Sequence, residues 1–389
     1  MSKTFFRKDL IKKNENRIFV ERKKVTLALN ESNFSSISLL NNSEKENILN
    51  ARIDKYPTSE FLSGFITSLK EYCKVNSEDQ ILVGNGIDEL LYFLFISINE
   101  KGAKCIVNAP TYPDYKNYGE SVGLSFIEIP LIEKIDKTGK DIENSKVDAN
   151  QLEKEFSLDI KRLVNIGKRK DVKAVIFTNP NNPTGTLFPL SDMIYVIQRL
   201  KDKLIIIDEA YIEYCPEKTL VPLVNEFENI IILRSFSKGF LSPGLRLGYL
   251  VSNTSIINNL KKVFPVFVVS QVSIEIGKIL LEKKDEISIF RQKIVENRQI
   301  IYNKLKEYTE KGYLLKVYNS NTNFVLFKFS DEQQMKNCYN FLLQNDISVR
   351  NVSSKYLKNS LRVTATNEEE TEIFLNTMSN YFNQIQDNE

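Results

Sequence analysis

IIILRSFSKGFLSPGLRLGYLV, residues 230–251, is where the reading of this chain turns. It opens on four aliphatic residues that read as a buried strand and closes on a second apolar run, residues 247–251. Between them stand Ser235, Ser237, Lys238 and Arg246, with Gly244 and Gly248 flanking the arginine. Hydroxyls and a guanidinium are ligands for phosphate, and glycines admit close backbone approach. Lys238 adds an amine that can react. The bland alternative is a solvated surface lysine, so the reading depends on partners elsewhere.

Working outward, short Val/Ile-rich runs alternate with helical patterns. Residues 81–83, 105–107, 124–129, 172–178 and 204–207 read as strands, and residues 59–75, 112–122 and 190–200 as helices, with another starting near Asp88. This alternation implies an α/β fold with a parallel sheet covered on both faces. Residues 131–170 read as a polar insertion, and residues 252–298 as long helices broken at Phe264-Pro265. The last ninety or so residues read as a smaller α+β unit, with strands at 323–329, 348–350 and 361–364 and helices at 331–344 and 369–382. The polar beginning reads as an arm crossing another part of the molecule. The expected division is an arm over residues 1–49, a large domain over 50–282 and a small domain over 283–389.

Composition excludes several chemistries. The 389 residues contain no histidine, which removes Ser-His-Asp and Cys-His catalysis and His-ligated metals. Four scattered cysteines form no C-x-x-C pair, so no metal is expected and a reducing cytoplasm fits best. The near balance of 53 basic and 50 acidic residues gives no case for nucleic acid, and the apolar runs are too short to span a membrane.

Further distinctive sequences follow the predicted strands, where a doubly wound sheet binds ligands. Gly84-Asn85-Gly86-Ile87-Asp88 follows one and opens a helix, so its backbone N–H groups can meet an anion; a plain strand-to-helix turn reads equally well. It is no dinucleotide fingerprint, because Glu89 stands where the third glycine belongs. Asn179 to Gly185, NPNNPTG, is a proline-stiffened loop suited to fixing one asparagine amide, or simply a rigid turn. Asp208 ends the strand at 204–207, where it faces the ligand crevice or caps a helix. Together these pieces suggest pyridoxal 5′-phosphate, whose aldehyde condenses with a lysine and whose pyridinium pairs with an aspartate.

On these residues the chain resembles fold-type I pyridoxal-phosphate aminotransferases, specifically the histidinol-phosphate aminotransferase subfamily and its relative threonine-phosphate decarboxylase. The likeness runs from about Val25 to Phe382. It implies a large domain with a mostly parallel, doubly wound sheet of the seven-stranded type, and a smaller α+β C-terminal domain. It implies that Lys238, Asp208 and Tyr211 are catalytic: Lys238 carries the cofactor, Asp208 pairs with its ring nitrogen, and Tyr211 and Asn182 bond its phenolic oxygen. Gly86, Ile87, Ser235, Ser237 and Arg246 would hold the phosphate, with Tyr112, in APTYPDY, stacked on the ring. Tyr56, in KYP, would reach the neighbouring subunit's phosphate, which implies a homodimer with shared sites. Arg362, in LRVTAT, would grip a substrate carboxylate and Arg350, in SVRN, a substrate phosphate. Asn30 and Phe34, in the arm, would cover the substrate.

The arm reads NESNFSS where the family has N-E-N-P-Y-G-P, so Phe34 lacks a hydroxyl. Residues 264–270, FPVFVVS, and the VTAT after Arg362 also depart from the family pattern. These changes bear on the substrate rather than the cofactor. The leading expectation is an aminotransferase acting between glutamate/2-oxoglutarate and a small phosphorylated partner. The alternative is a decarboxylase of O-phosphoserine or O-phosphothreonine, and a third class is a cofactor-binding regulator without turnover.

Overall fold

The computed structural model describes residues 5, 22–133 and 156–386. Most of the start of the predicted arm, and residues 134–155 of the predicted insertion, lie outside the described residues. The strands are, in order, β1 (Val25–Thr26), β2 (Ile81–Gly84), β3 (Lys104–Ala109), β4 (Ser125–Pro130), β5 (Ile132–Glu133) and β6 (Phe156–Ser157). They continue as β7 (Val172–Thr178), β8 (Leu204–Asp208), β9 (Ile230–Ser235) and β10 (Gly248–Ser252). The C-terminal strands are β11 (Lys316–Tyr318), β12 (Phe324–Lys328), β13 (Ile347–Ser348), β14 (Arg350–Asn351) and β15 (Ser360–Thr364). The helices used below are α1 (Asn42–Leu49), α2 (Ser59–Cys73), α3 (Ile87–Ile98), α4 (Asp114–Val122), α5 (Ile160–Gly167), α6 (Leu190–Arg199), α7 (Thr254–Leu260), α8 (Gln271–Glu282) and α9 (Lys284–Glu310).

A seven-stranded sheet runs β2-β10-β9-β8-β7-β3-β4. Only β10 runs opposite to the other six strands. Its central strands are continuous aliphatic runs because both faces are buried, and successive side chains serve different cores. Val175, Phe177, Ile205, Ile207, Ile230 and Ile232 join one cluster, with Phe65 of α2, Leu163 of α5 and Met193 of α6. Ala174, Ile176, Ile206, Ile231 and Leu233 join the other, with Leu90 and Leu94 of α3, Tyr115 of α4 and Ile257 of α7. Burial of one such side chain is worth about 1.5–3 kcal/mol, so a polar residue at any of these positions would break the layer. The α/β, doubly wound reading therefore holds, and a four-stranded antiparallel sheet, β11-β12-β15-β14, forms the smaller α+β unit.

Four expectations change. The strand expected at 348–350 is two strands: β13 pairs in parallel with β1 of the arm, whereas β14 pairs with β15. β11 escaped the sequence reading; three residues with lysine at one end give too short a pattern. The helix expected from Tyr112 starts at Asp114, after Pro113, and α9 runs on to Glu310. The arm does cross the molecule: the Leu27 N–H donates to the Ser348 carbonyl (2.8 Å), and the Leu27 carbonyl accepts from the Thr364 N–H (2.9 Å).

Candidate active site

The parallel strands place their C-terminal ends along one edge of the large sheet, and the candidate residues collect there. Asp208 ends β8, Ser235 ends β9, and Gly84 ends β2, which points the same way as β9 because both oppose β10.

At the start of α3, Gly86 takes φ 86°, a conformation that favours glycine, and no side chain caps the helix. A Cβ on Gly86 would stand 2.9 Å from Arg246 Nη2, so the missing side chain leaves room for the guanidinium. Arg246 Nη2 also donates to Asp88 Oδ2 (2.9 Å), and Tyr112 Oη donates to Asp88 Oδ1 (3.2 Å). Asp88 thus orients two candidate residues, a part its reading as a helix-start acid did not include. Next to them the Ser237 N–H donates to Ser235 Oγ (3.0 Å). Uncapped N–H groups of the first turn, two hydroxyls and an arginine make a cradle for a dianion.

Asp208 is 4% exposed. It accepts from Tyr115 Oη (2.6 Å) and the Ala210 N–H (2.9 Å), and burial raises its carboxyl to about 6 against those two bonds. No cation touches it among the described residues. A buried carboxylate of that kind fits a cationic ring nitrogen.

Lys238 lies in the loop after β9, its Nζ held beneath the arm by the carbonyls of Leu29 (2.9 Å) and Asn30 (3.1 Å). Burial, and then the neighbouring Arg362 charge, lower this amine to about 8. Tyr211 Oη accepts from Asn30 Nδ2 (2.8 Å), leaving its own proton to donate.

The NPNNPTG loop assigns its amides separately. Asn179 Oδ1 accepts from the Phe188 N–H (2.8 Å), and Asn181 Nδ2 donates to the Pro110 carbonyl (3.1 Å) and Thr184 Oγ1 (2.9 Å). Asn182 is left to face the site, where its Oδ1 accepts from Arg362 Nη1 (2.7 Å). Arg362 Nη2 donates to the Ala28 carbonyl (2.8 Å), and its buried Nε finds no partner among the described residues. Burial lowers this guanidinium to about 10, so it stays cationic at neutral pH. Arg350 sits directly opposite Arg362 in the β14–β15 ladder.

Two expected residues stand apart. Tyr56 is 73% exposed, and its ring stacks on Phe267, centroids 4.4 Å apart. Phe34 stacks on Phe290 of α9, centroids 5.1 Å apart, with Lys293 Nζ 5.8 Å from its ring. Tyr115 was not singled out by sequence, although it sits three residues after Tyr112 in APTYPDY. No cluster of three or more acidic or thiol side chains that could hold a metal occurs among the described residues.

The arrangement offers an anion cradle, a buried carboxylate awaiting a cation, a lowered lysine amine and hydroxyl and amide donors around it. Pyridoxal 5′-phosphate fits each of these. Comparison with known proteins agrees: residues 22–378 match the family described as aminotransferase class I and II. A histidinol-phosphate aminotransferase of Clostridium kluyveri is 33% identical over 309 residues, 79% of each chain. The solved histidinol-phosphate aminotransferase of Sinorhizobium meliloti, in complex with pyridoxal-5′-phosphate, superposes with TM-score 0.78 at 21% identity, covering 96% of both chains. L-threonine-O-3-phosphate decarboxylase of Porphyromonas gingivalis shares the fold with TM-score 0.71 at 18% identity, covering 92% of this chain and 99% of that one.

Proposed function

The chain belongs to the class I and II aminotransferases, and from that premise we propose that it moves an amino group between glutamate or 2-oxoglutarate and a small phosphorylated partner. As an aminotransferase of this family it depends on pyridoxal 5′-phosphate. That group, when bound, supplies an electrophilic carbon and an electron-withdrawing ring that acidify a substrate's Cα–H.

The chain's own residues do the rest. The first turn of α3 at Gly86 and Ile87, with Ser235, Ser237 and Arg246, holds the phosphate, and Tyr112 covers the ring. Asp208 faces the ring nitrogen; Tyr211 Oη and Asn182 Nδ2 donate to the phenolic oxygen. The lowered amine of Lys238 takes the proton from the substrate's Cα, which needs a base that is neutral in part near neutral pH. Arg362 binds the substrate carboxylate and Arg350 its phosphate.

One observation carries the substrate class. Two arginines face each other across the β14–β15 ladder, and neither has an acidic partner among the described residues. Like charges placed side by side are unfavourable unless an anion joins them, so the pair calls for an anionic substrate. Phe34, without a hydroxyl, has no phosphate bond to offer and packs its ring on Phe290 instead.

We assign residues 1–49 to a covering arm, 50–282 to a large unit and 283–389 to a small one, with the break where α8 ends at Glu282 and α9 begins at Lys284. The exposed apolar residues Leu49, Ile53, Tyr56, Val266 and Phe267 support a homodimer in which Tyr56 reaches the second site. Four free cysteines fit the reducing cytoplasm.

The test is a substrate panel. Glutamate and histidinol phosphate, added separately to the holoprotein, are expected to convert the cofactor to its amino form in absorbance, without CO2 release. CO2 from O-phosphothreonine or O-phosphoserine, with glutamate inert, would make the protein a decarboxylase instead. The same preparation should sediment as a dimer; a monomer would contradict the shared site.

A further inference from the structure

We propose that Tyr115 is a positioning residue for Asp208, the last member of a hydroxyl chain Thr111–Thr178–Tyr115 whose protons all aim at that carboxylate. The inference rests on the reading above, in which Asp208 must be ionised to face a cationic ring.

The geometry is complete without any ligand. Thr178 and Asp208 are register partners on the neighbouring strands β7 and β8, so their side chains leave the sheet side by side. Tyr115, 1% exposed on α4, reaches both: its Oη lies 2.6 Å from Asp208 Oδ2 and 2.8 Å from Thr178 Oγ1. Thr178 Oγ1 lies 2.9 Å from Thr111 Oγ1. Each hydroxyl has one proton to give. Tyr115 gives its proton to the carboxylate, which leaves Thr178 as donor to Tyr115 and Thr111 as donor to Thr178. The three dipoles then point one way and reinforce each other in a buried setting.

The chain has no histidine, so no imidazole can partner this aspartate. A phenol is suited to the task. Burial, and then the Asp208 charge, push the Tyr115 hydroxyl well above its ordinary pKa, so it remains a donor across the working range. Other charges near Asp208 are already paired: Asp88 of α3 with Arg246, and Glu209 with Arg234 of β9. Both acids raise Asp208, and Tyr211 follows three residues later in the chain, itself raised by burial. Among these neighbours Tyr115 and the Ala210 N–H are what favour the ionised form. The Tyr115 ring also meets the Tyr112 ring edge-on, centroids 5.4 Å apart, so one residue supports both the ring-covering tyrosine and the ring-facing acid.

The experiment titrates Asp208 by infrared difference spectroscopy in the full chain freed of cofactor, its carboxyl band identified by loss in Asp208→Asn. The wild-type midpoint is expected near 6. Removing a donor to the charged form raises a carboxyl, so Tyr115→Phe should move the midpoint up by about one unit, and Thr178→Val should move it the same way by less. In the holoprotein, the pH below which cofactor affinity falls should rise with it. An unmoved or lowered midpoint in Tyr115→Phe, at unchanged thermal unfolding, overturns the proposal. If that variant does not fold, an unmoved midpoint in Thr178→Val overturns it. Failure of the functional reading looks different: pyridoxal phosphate would not bind, whereas the infrared shift would still appear in the free chain.

Discussion

Asp208, Ser235 and Gly86 stand at or just beyond the ends of strands buried on both faces, whereas Asn30, Phe34, Arg350 and Arg362 belong to an arm and a small sheet that meet above them. The floor is fixed by the backbone ladder and two hydrophobic clusters. The roof has its own strand pairing and apolar packing, but its polar ties to the floor are a few hydrogen bonds between distant segments: Asn30 to Tyr211, Arg362 to Asn182, and the Lys238 amine to two arm carbonyls. A rigid floor suits a cofactor that stays; a roof tied by a few polar contacts suits substrates that must come and go. The contrast predicts that floor substitutions disable chemistry and roof substitutions change substrate affinity.

The floor should give the largest effect. Asp208→Asn is expected to lower kcat by about 1,000-fold, the usual scale for losing a charge aimed at the reacting group. The same substitution should stabilise the cofactor-free chain. Its folded carboxyl, near 6, lies above the ordinary 3.8, so folding favours the protonated form. That contribution is intact below pH 4 and lost as pH rises through 6, at a cost of about 1–3 kcal/mol above it. Thermal unfolding of the cofactor-free chain should therefore show the variant ahead at pH 8 and level near pH 4; equal stability at both would break the account of the floor.

The roof should give smaller effects and of another kind. Arg362→Gln removes a buried cation and should weaken kcat/KM by about 100-fold, mostly through KM. It should also raise the Lys238 midpoint from about 8 toward the usual lysine range, because a neighbouring positive charge is gone. Arg350→Gln, half-buried, should cost about tenfold, confined to phosphorylated substrates. An Arg350 effect equal for phosphorylated and unphosphorylated substrates would remove the phosphate from its role.

The same division governs what could be read in the sequence. A floor residue carries its context beside it: an aliphatic run, then Asp208, or an aliphatic run, then Ser235 and Lys238. Parallel strands buried on both faces keep that run unbroken, so both strand and site are visible locally. Roof contacts have no local signature. Asn30 lies 181 residues from Tyr211, and β1 and β13 are two residues each, too short for any periodicity. Tyr115 was missed for the same reason, being 93 residues from Asp208 and hidden on a helix where an apolar-looking tyrosine reads as core. Phe34 and Tyr56 were visible as residues, but their ring partners, Phe290 and Phe267, follow from the fold alone.

The central claim is that Lys238 is the amine to which the cofactor attaches. Borohydride reduction of the holoprotein followed by peptide mapping tests it most directly. A single pyridoxyl group is expected on Lys238, absent in Lys238→Ala. A pyridoxyl group on another lysine, or none on a preparation that retains cofactor, would contradict it.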